Sequence, residues 1–202
     1  MEETTMTNVP SWTYEFHGHR CPFMPIGYRM GQIAMRTLGV EREPDHGMFA
    51  FPEIGVGHPM TCMVDGIQSA TGCTYGKLLM EKSGVGKLAF TLFKPGKGAV
   101  RVAMKPEFMD ELPRFEFFKY RKAGKEPSEI PAAVTNEVVD WMFAQSDEAL
   151  FKIEARPDFQ FQPVKGSFNK AKCVKCGEYV FERYVRLADG APHCIPCAGR
   201  GI

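Results

Sequence analysis

The chain has 202 residues, 44% of them hydrophobic and 24% charged, with a formal net charge of +1. That is enough for one domain with a real core and a small appendage, and it excludes a disordered or collagen-like chain. With 25 basic and 24 acidic side chains, no whole-molecule field exists to coat nucleic acid or a membrane.

Residues 1–11 read as a disordered polar tail, and the core domain is placed at 12–164. Phe16-His17-Gly18-His19-Arg20-Cys21-Pro22 is a dense polar motif in aromatic surroundings. The spacing of Ile26, Met30, Ile33, Ala34 and Leu38 predicts a helix opened near Pro25 and ended by Gly39. Gly27 and Gly31, one turn apart, leave a flat strip where another backbone packs closely. A short strand is expected over 47–53, a loop over 55–59 and a second helix over 60–70. Gly72 breaks that helix, and 77–82 predicts about two further helical turns.

Alternation over 87–93 and 99–105, around Pro95-Gly96-Lys97-Gly98, predicts a hairpin. The segment 106–120 reads as helix interrupted by Pro113. Its Phe115, Phe117, Phe118 and Tyr120 are assigned to the core or an oligomer interface. Another helix is expected from a Ser128 cap, with Ile130, Val134, Val138, Trp141 and Met142 on one face. Ser146 caps a short helix through Leu150, and 153–161 is extended. The short basic stretch 163–172 marks a domain boundary, with the last domain at 165–202. The fold class is α+β: a mixed helix and antiparallel-sheet core, followed by a small zinc finger.

No run of about 18 apolar residues occurs, so no spanning helix is expected. Met-Glu-Glu-Thr-Thr lacks the pattern of a secretory signal. The expected compartment is the cytoplasm, where thiols stay reduced, so the seven cysteines are read as ligands or reactive groups.

Cys173-Val174-Lys175-Cys176 and Cys194-Ile195-Pro196-Cys197 have 17 residues between them, a structural zinc spacing. Four thiolates at tetrahedral corners close the shell, so this zinc, one per chain, is structural and not catalytic. Gly177 relaxes the turn after the first pair. Alternation over 179–187 and the turn residues 188–191 predict one hairpin returning the chain to the second pair. So small a segment needs such a staple. A redox dithiol pair is the weaker alternative, and His193 is a neighbour of the site or a surface residue. Seven basic side chains (Lys165, Lys170, Lys172, Lys175, Arg183, Arg186, Arg200) face three acidic ones (Glu178, Glu182, Asp189) in this domain. That is weak support for nucleic-acid contact, and a protein or dimer contact through the finger is favoured.

His17, His19 and Cys21 alternate, so in an extended segment they point the same way. Cys62 and Asp65 share a face of the second helix. Cys73 sits between Gly72 and Thr74, where the backbone comes close to a ligand, and converging with it these residues make a site for zinc, nickel, iron or copper. The alternative is that Cys62 and Cys73 are core and the histidines bond to backbone. His46 and His58 lie in loops without partners nearby. Lys94-Pro95-Gly96-Lys97-Gly98 lacks phosphate-loop spacing.

The motif around His17, His19 and Cys21, followed by Gly27, resembles the FmdE family, the E-type chains of formylmethanofuran dehydrogenase. So do Cys62-Met63-Val64-Asp65-Gly66-Ile67-Gln68, Gly72-Cys73-Thr74-Tyr75-Gly76-Lys77 and Gly86-Lys87-Leu88-Ala89-Phe90. The tail resembles a treble-clef finger of the TraR/DksA type. The resemblance implies an α+β core and a homodimer, often intertwined. It implies a pocket lined by His17, His19, Cys21, Cys62 and Cys73, with Asp65, Gln68 and Thr74 beside it. It also implies an accessory, carrier or sensor. The pterin and clusters of the dehydrogenase sit on its other chains, and seven cysteines are too few for several clusters. A thiol- or metal-dependent enzyme, or a regulator using the finger, are the alternatives. Phe23 replaces a frequent glycine and is expected to reshape the pocket mouth. Gly66 replaces a frequent alanine, a change expected to be minor.

Overall fold

The computed structural model describes residues 9–57 and 59–199. Most of the expected tail (1–8), His58 and Arg200 lie outside the described residues. The chain divides into two compact units, one ending at Gln160 and one beginning at Phe161.

The first unit opens with α1 (Ser11–His17), closed by Gly18 at φ 89°. In α2 (Phe23–Leu38) the predicted face, Ile26, Met30, Ile33 and Ala34, is buried, and left-handed Gly39 ends the helix. After β1 (Phe49–Pro52) comes α3 (Met63–Thr71), shorter than expected: Cys62 is its N-cap and 60–62 are turns.

Contacts advance together along α2 and α3. A Cβ on Gly27 would lie 1.9 Å from the Met63 carbonyl oxygen, and one on Gly31 would lie 2.7 Å from the Ala70 methyl. The flat strip is therefore used as predicted. Gly66 is the matching surface on α3: a Cβ there would lie 2.0 Å from the Met24 carbonyl oxygen. The expectation that glycine here is a minor change is wrong, because backbone cannot yield as a flexible side chain does. Both helices start at the same end of this crossing, which brings Cys21 and Cys62 together.

The predicted hairpin forms from β2 (Ala89–Lys94) and β3 (Gly98–Met104). With β4 (Phe151–Arg156) it completes an antiparallel sheet in the order β1-β2-β3-β4. Five of six β2 residues are buried, so this inner strand is covered on both faces. Between β3 and β4 lie α4 (Pro106–Glu111), α5 (Glu116–Lys122), α6 (Ala132–Phe143) and α7 (Asp147–Leu150). Pro113 sits in a 3-10 turn between α4 and α5, where a missing N–H is tolerated. Ser128 caps nothing: it lies in another 3-10 turn, and α6 starts after Pro131. The Ser146 hydroxyl does cap α7, accepting from the Ala149 N–H at 3.2 Å. Phe115 and Phe117 are core.

The expected helix over 77–82 does not form. Leu78 has φ 57°, and the following residues run beside β1. The Ala50 N–H donates to Leu79 O at 2.8 Å, and the Glu81 N–H donates to Ala50 O at 3.1 Å. Backbone pairing with a distant strand overrides local propensity here.

A buried charge joins α2 to the α6–α7 corner. Arg29 is 1% exposed. It donates to Asp147 at 2.8 Å and to the carbonyls of Met142 and Gln145 at 3.0 and 2.7 Å. These partners make burial of the guanidinium tolerable.

The second unit contains two small ribbons, β5 (Lys170–Lys172) with β6 (Tyr179–Phe181), and β7 (Arg186–Ala188) with β8 (Ala191–His193). The single hairpin expected over 179–187 is instead broken by a 3-10 turn, Glu182–Tyr184. Among the described residues no helix is long and apolar enough to cross a membrane.

Candidate metal centres

In the finger, the thiols of Cys173, Cys176, Cys194 and Cys197 lie within 4.8 Å of one another. The Cys176 and Cys194 sulfurs are 3.9 Å apart. Zinc–sulfur bonds of about 2.3 Å in a tetrahedron require about 3.8 Å between sulfurs, so the thiols are already spaced for the ion. Each pair closes on a turn. The Gly177 N–H donates to Cys173 O at 2.9 Å with φ 79°, and the Ala198 N–H donates to Cys194 O at 2.9 Å. His193 is not in the cluster: its Nδ1 meets Ala191 O at 3.1 Å.

In the first unit, His17, His19, Cys21 and Cys62 form a second group, with their ligand atoms also within 4.8 Å of one another. The expected convergence occurs, but not through an extended segment. His17 ends α1, Gly18 turns the chain in the left-handed region, and His19 returns beside it with ring centroids 4.3 Å apart. Cys21 immediately precedes Pro22, the N-cap of α2, while Cys62 holds the N-cap position of α3. Helix N-termini favour thiolates.

His17 meets the Asp65 carboxylate through Nδ1 at 2.8 Å. An ionised carboxylate only accepts, so the proton lies on Nδ1 and Nε2 is left for a ligand. That Nε2 is 3.5 Å from the Cys21 sulfur. Asp65 is held in turn by Gln68 Nε2 at 3.1 Å, and Gln68 accepts the Tyr75 N–H at 2.8 Å. A ligating histidine oriented by a carboxylate is a usual outer support of metal sites. His19 Nε2 is buried with no hydrogen-bond partner among the described residues. A buried orphan nitrogen is costly, and a metal at the cluster would satisfy it.

Without metal, the group shares protons. The hydrogen bond to Asp65, then that to Cys62, raises His17 to about 9. Cys21 is pushed up by its hydrogen bond to Cys62 and by burial. The same bond, helped by His17, holds Cys62 below the usual thiol range.

A cleft of about 540 Å³ opens beside Cys62. The expected residues Asp65 and Gln68 line it, as does Tyr75 of the Gly72–Lys77 motif, together with Thr61, Met80, Glu81 and Lys82, which no sequence motif singles out. The last three arrive through the pairing with β1, which no local pattern signals. Cys73 does not join the site. It is fully buried at the far end of α3, donates to Met48 O at 3.4 Å, and burial pushes it up to about 11. Thr74 is a turn residue accepting the Lys77 N–H and does not line the cleft. Phe23 shapes no mouth: it is buried and packs on Phe118 with ring centroids 6.1 Å apart.

The family model described as "FmdE, Molybdenum formylmethanofuran dehydrogenase operon" matches residues 16–152, most of the first unit. The chain belongs to the FmdE family. A second model, the prokaryotic dksA/traR C4-type zinc finger, matches 166–200. This FmdE-family chain is similar to a solved structure, an FmdE-like protein of the tungsten formylmethanofuran dehydrogenase type from Syntrophus aciditrophicus. The TM-score is 0.57 at 21% identity, covering 92% of this chain and 88% of that one. At that identity the likeness shows the fold. A curated relative from Archaeoglobus fulgidus, named a probable S-adenosyl-L-methionine-binding protein, is 34% identical over 98% of this chain. The chain spans about half of that relative's length, 54%.

Proposed function

We propose that this FmdE-family chain is a cytoplasmic, homodimeric accessory, carrier or sensor protein. It binds one transition-metal ion at His17, His19, Cys21 and Cys62, in addition to a structural zinc in the finger. The observation that carries this reading is the orphan His19 nitrogen in a group whose other histidine is oriented by Asp65. Two imidazoles and two thiolates suit zinc, nickel or iron. Bound, the ion would supply Lewis acidity or an exchangeable cargo. Four protein ligands favour holding or handing on an ion over hydrolysis, which needs an open position. Asp65 and Gln68 orient His17, and the two helix N-termini favour the thiolates. The Archaeoglobus relative extends well beyond the matched region, so S-adenosyl-L-methionine binding is not carried over.

A thiol-dependent enzyme is the second reading, favoured by the cleft that Cys62 and His17 line together. There Cys62 would be the nucleophile and His17 its base.

Cobalt substitution tests the proposal. Cobalt-loaded wild type is expected to show thiolate charge-transfer and tetrahedral ligand-field bands from two sites. Cys21→Ala with Cys62→Ala should lose one set and keep the finger's. Spectra that are the same in both proteins, with Cys62 rapidly alkylated in metal-loaded wild type, would support the enzyme instead.

A further inference from the structure

The finger carries a surface that its zinc does not explain. In the β5–β6 ribbon, Lys170 pairs with Phe181 and Lys172 with Tyr179, while Ala171 pairs with Val180. Directly opposed residues share a face, so one face holds two lysines and two aromatic rings. Lys170 Nζ lies diagonally across it, 4.9 Å from the Tyr179 ring centroid. All four side chains are exposed, Tyr179 at 67% and Phe181 at 50%. Glu178 and Glu182 fall at the ends of β6 rather than between the rings.

Three features identify the occupant. The lysines call for negative charge, and each phosphate they neutralise releases counterions. The rings offer flat apolar faces, on which any base stacks. Residues i and i+2 of a strand are about 6.5–7 Å apart. Bases locked in a duplex at about 3.4 Å spacing cannot match that separation, whereas unstacked bases of an extended strand can. An acidic peptide would satisfy the lysines and leave the rings bare.

We propose that this face binds single-stranded nucleic acid. Tyr179 and Phe181 stack on bases, while Lys170 and Lys172 neutralise the phosphates beside them. Sequence preference is weak because every base has a stackable face. The proposal is independent of the metal in the first unit.

The test is fluorescence anisotropy with the full, zinc-loaded chain. The probes are labelled oligo-U and oligo-dT of about 12 nucleotides, a duplex of the same length and polyglutamate. Binding of at least one single strand is expected, tighter than duplex or polyglutamate. The log–log salt slope should be about −1.4, the value for two phosphate contacts. Tyr179→Leu with Phe181→Leu keeps apolar bulk and removes the rings; it should weaken binding at least about tenfold. Tyr179→Phe should bind as wild type. Lys170→Gln with Lys172→Gln should flatten the salt slope. Zinc content, measured on each variant, reports folding; if the leucine pair loses zinc, Phe181→Leu alone replaces it. No single-strand binding would overturn the proposal. So would binding indifferent to the rings, or a preference for duplex or polyglutamate.

Discussion

His17 and Asp65, 48 positions apart, meet through Nδ1 and Oδ2 at 2.8 Å. The pairing couples the end of α1 to the first turn of α3 and decides which imidazole nitrogen faces the thiols. Gln68 and the Tyr75 backbone hold Asp65 from behind, so the ring's orientation is set before any ion arrives.

Removing that support should cost metal affinity rather than the site itself. Asp65→Ala is expected to weaken metal binding in the first unit about 10- to 100-fold, with finger zinc unchanged. Competition against a graded chelator series measures both. Unchanged affinity would mean that His17 is not a ligand.

The α2–α3 crossing gives a second prediction. At Gly66 an added methyl would meet the Met24 carbonyl and the Tyr28 amide nitrogen at 2.0 and 2.5 Å. Gly66→Ala should destabilise the first unit by about 3 kcal/mol, the upper range for overpacking. It should also separate Cys21 from Cys62, so metal in the first unit falls while the finger's stays. Denaturant melts with metal analysis decide it.

Cys73 is grouped with the site by its sequence setting and by resemblance, and separated from it by structure. Cys73→Ala should leave metal content in both units unchanged and lower stability by about 1 kcal/mol through the lost buried sulfur. A lost equivalent of metal would restore Cys73 to the site.

Acid should loosen the sheet through Glu53. Two hydrogen bonds from Arg101 on β3 hold its carboxyl below the usual range. A depressed pKa gives stability that is full above the unfolded value of about 4.3 and lost as pH falls through the folded value. Arg101→Gln should therefore lower the melting temperature near neutral pH, and its gap to wild type should narrow as the pH falls below about 4.3. A gap that stays constant would exclude this ion pair as the cause.

Much of the site was readable because metal ligands have few chemical substitutes. The two Cys-x-x-Cys pairs and the close run of His17, His19 and Cys21 stand out in any reading. The geometry was less readable. Gly18 turns the chain where alternation suggested an extended segment, and the result is the same convergence by another path. The partner strip for Gly27 and Gly31 was Gly66 and Ala70, visible only once the two helices were set together. Met80, Glu81 and Lys82 were hidden because a backbone ladder to Ala50 placed them, and such a ladder leaves no mark on side-chain periodicity. No sequence motif singles out Arg29, because the partners that hold it lie 113 to 118 positions away.

The most direct test is metal per chain in protein purified without added metal and again after reconstitution, in wild type and in the Cys21→Ala, Cys62→Ala double variant. Two equivalents in reconstituted wild type and one in the variant are predicted. One equivalent in both, after reconstitution, would contradict a metal site at His17, His19, Cys21 and Cys62 and leave the finger as the chain's metal centre.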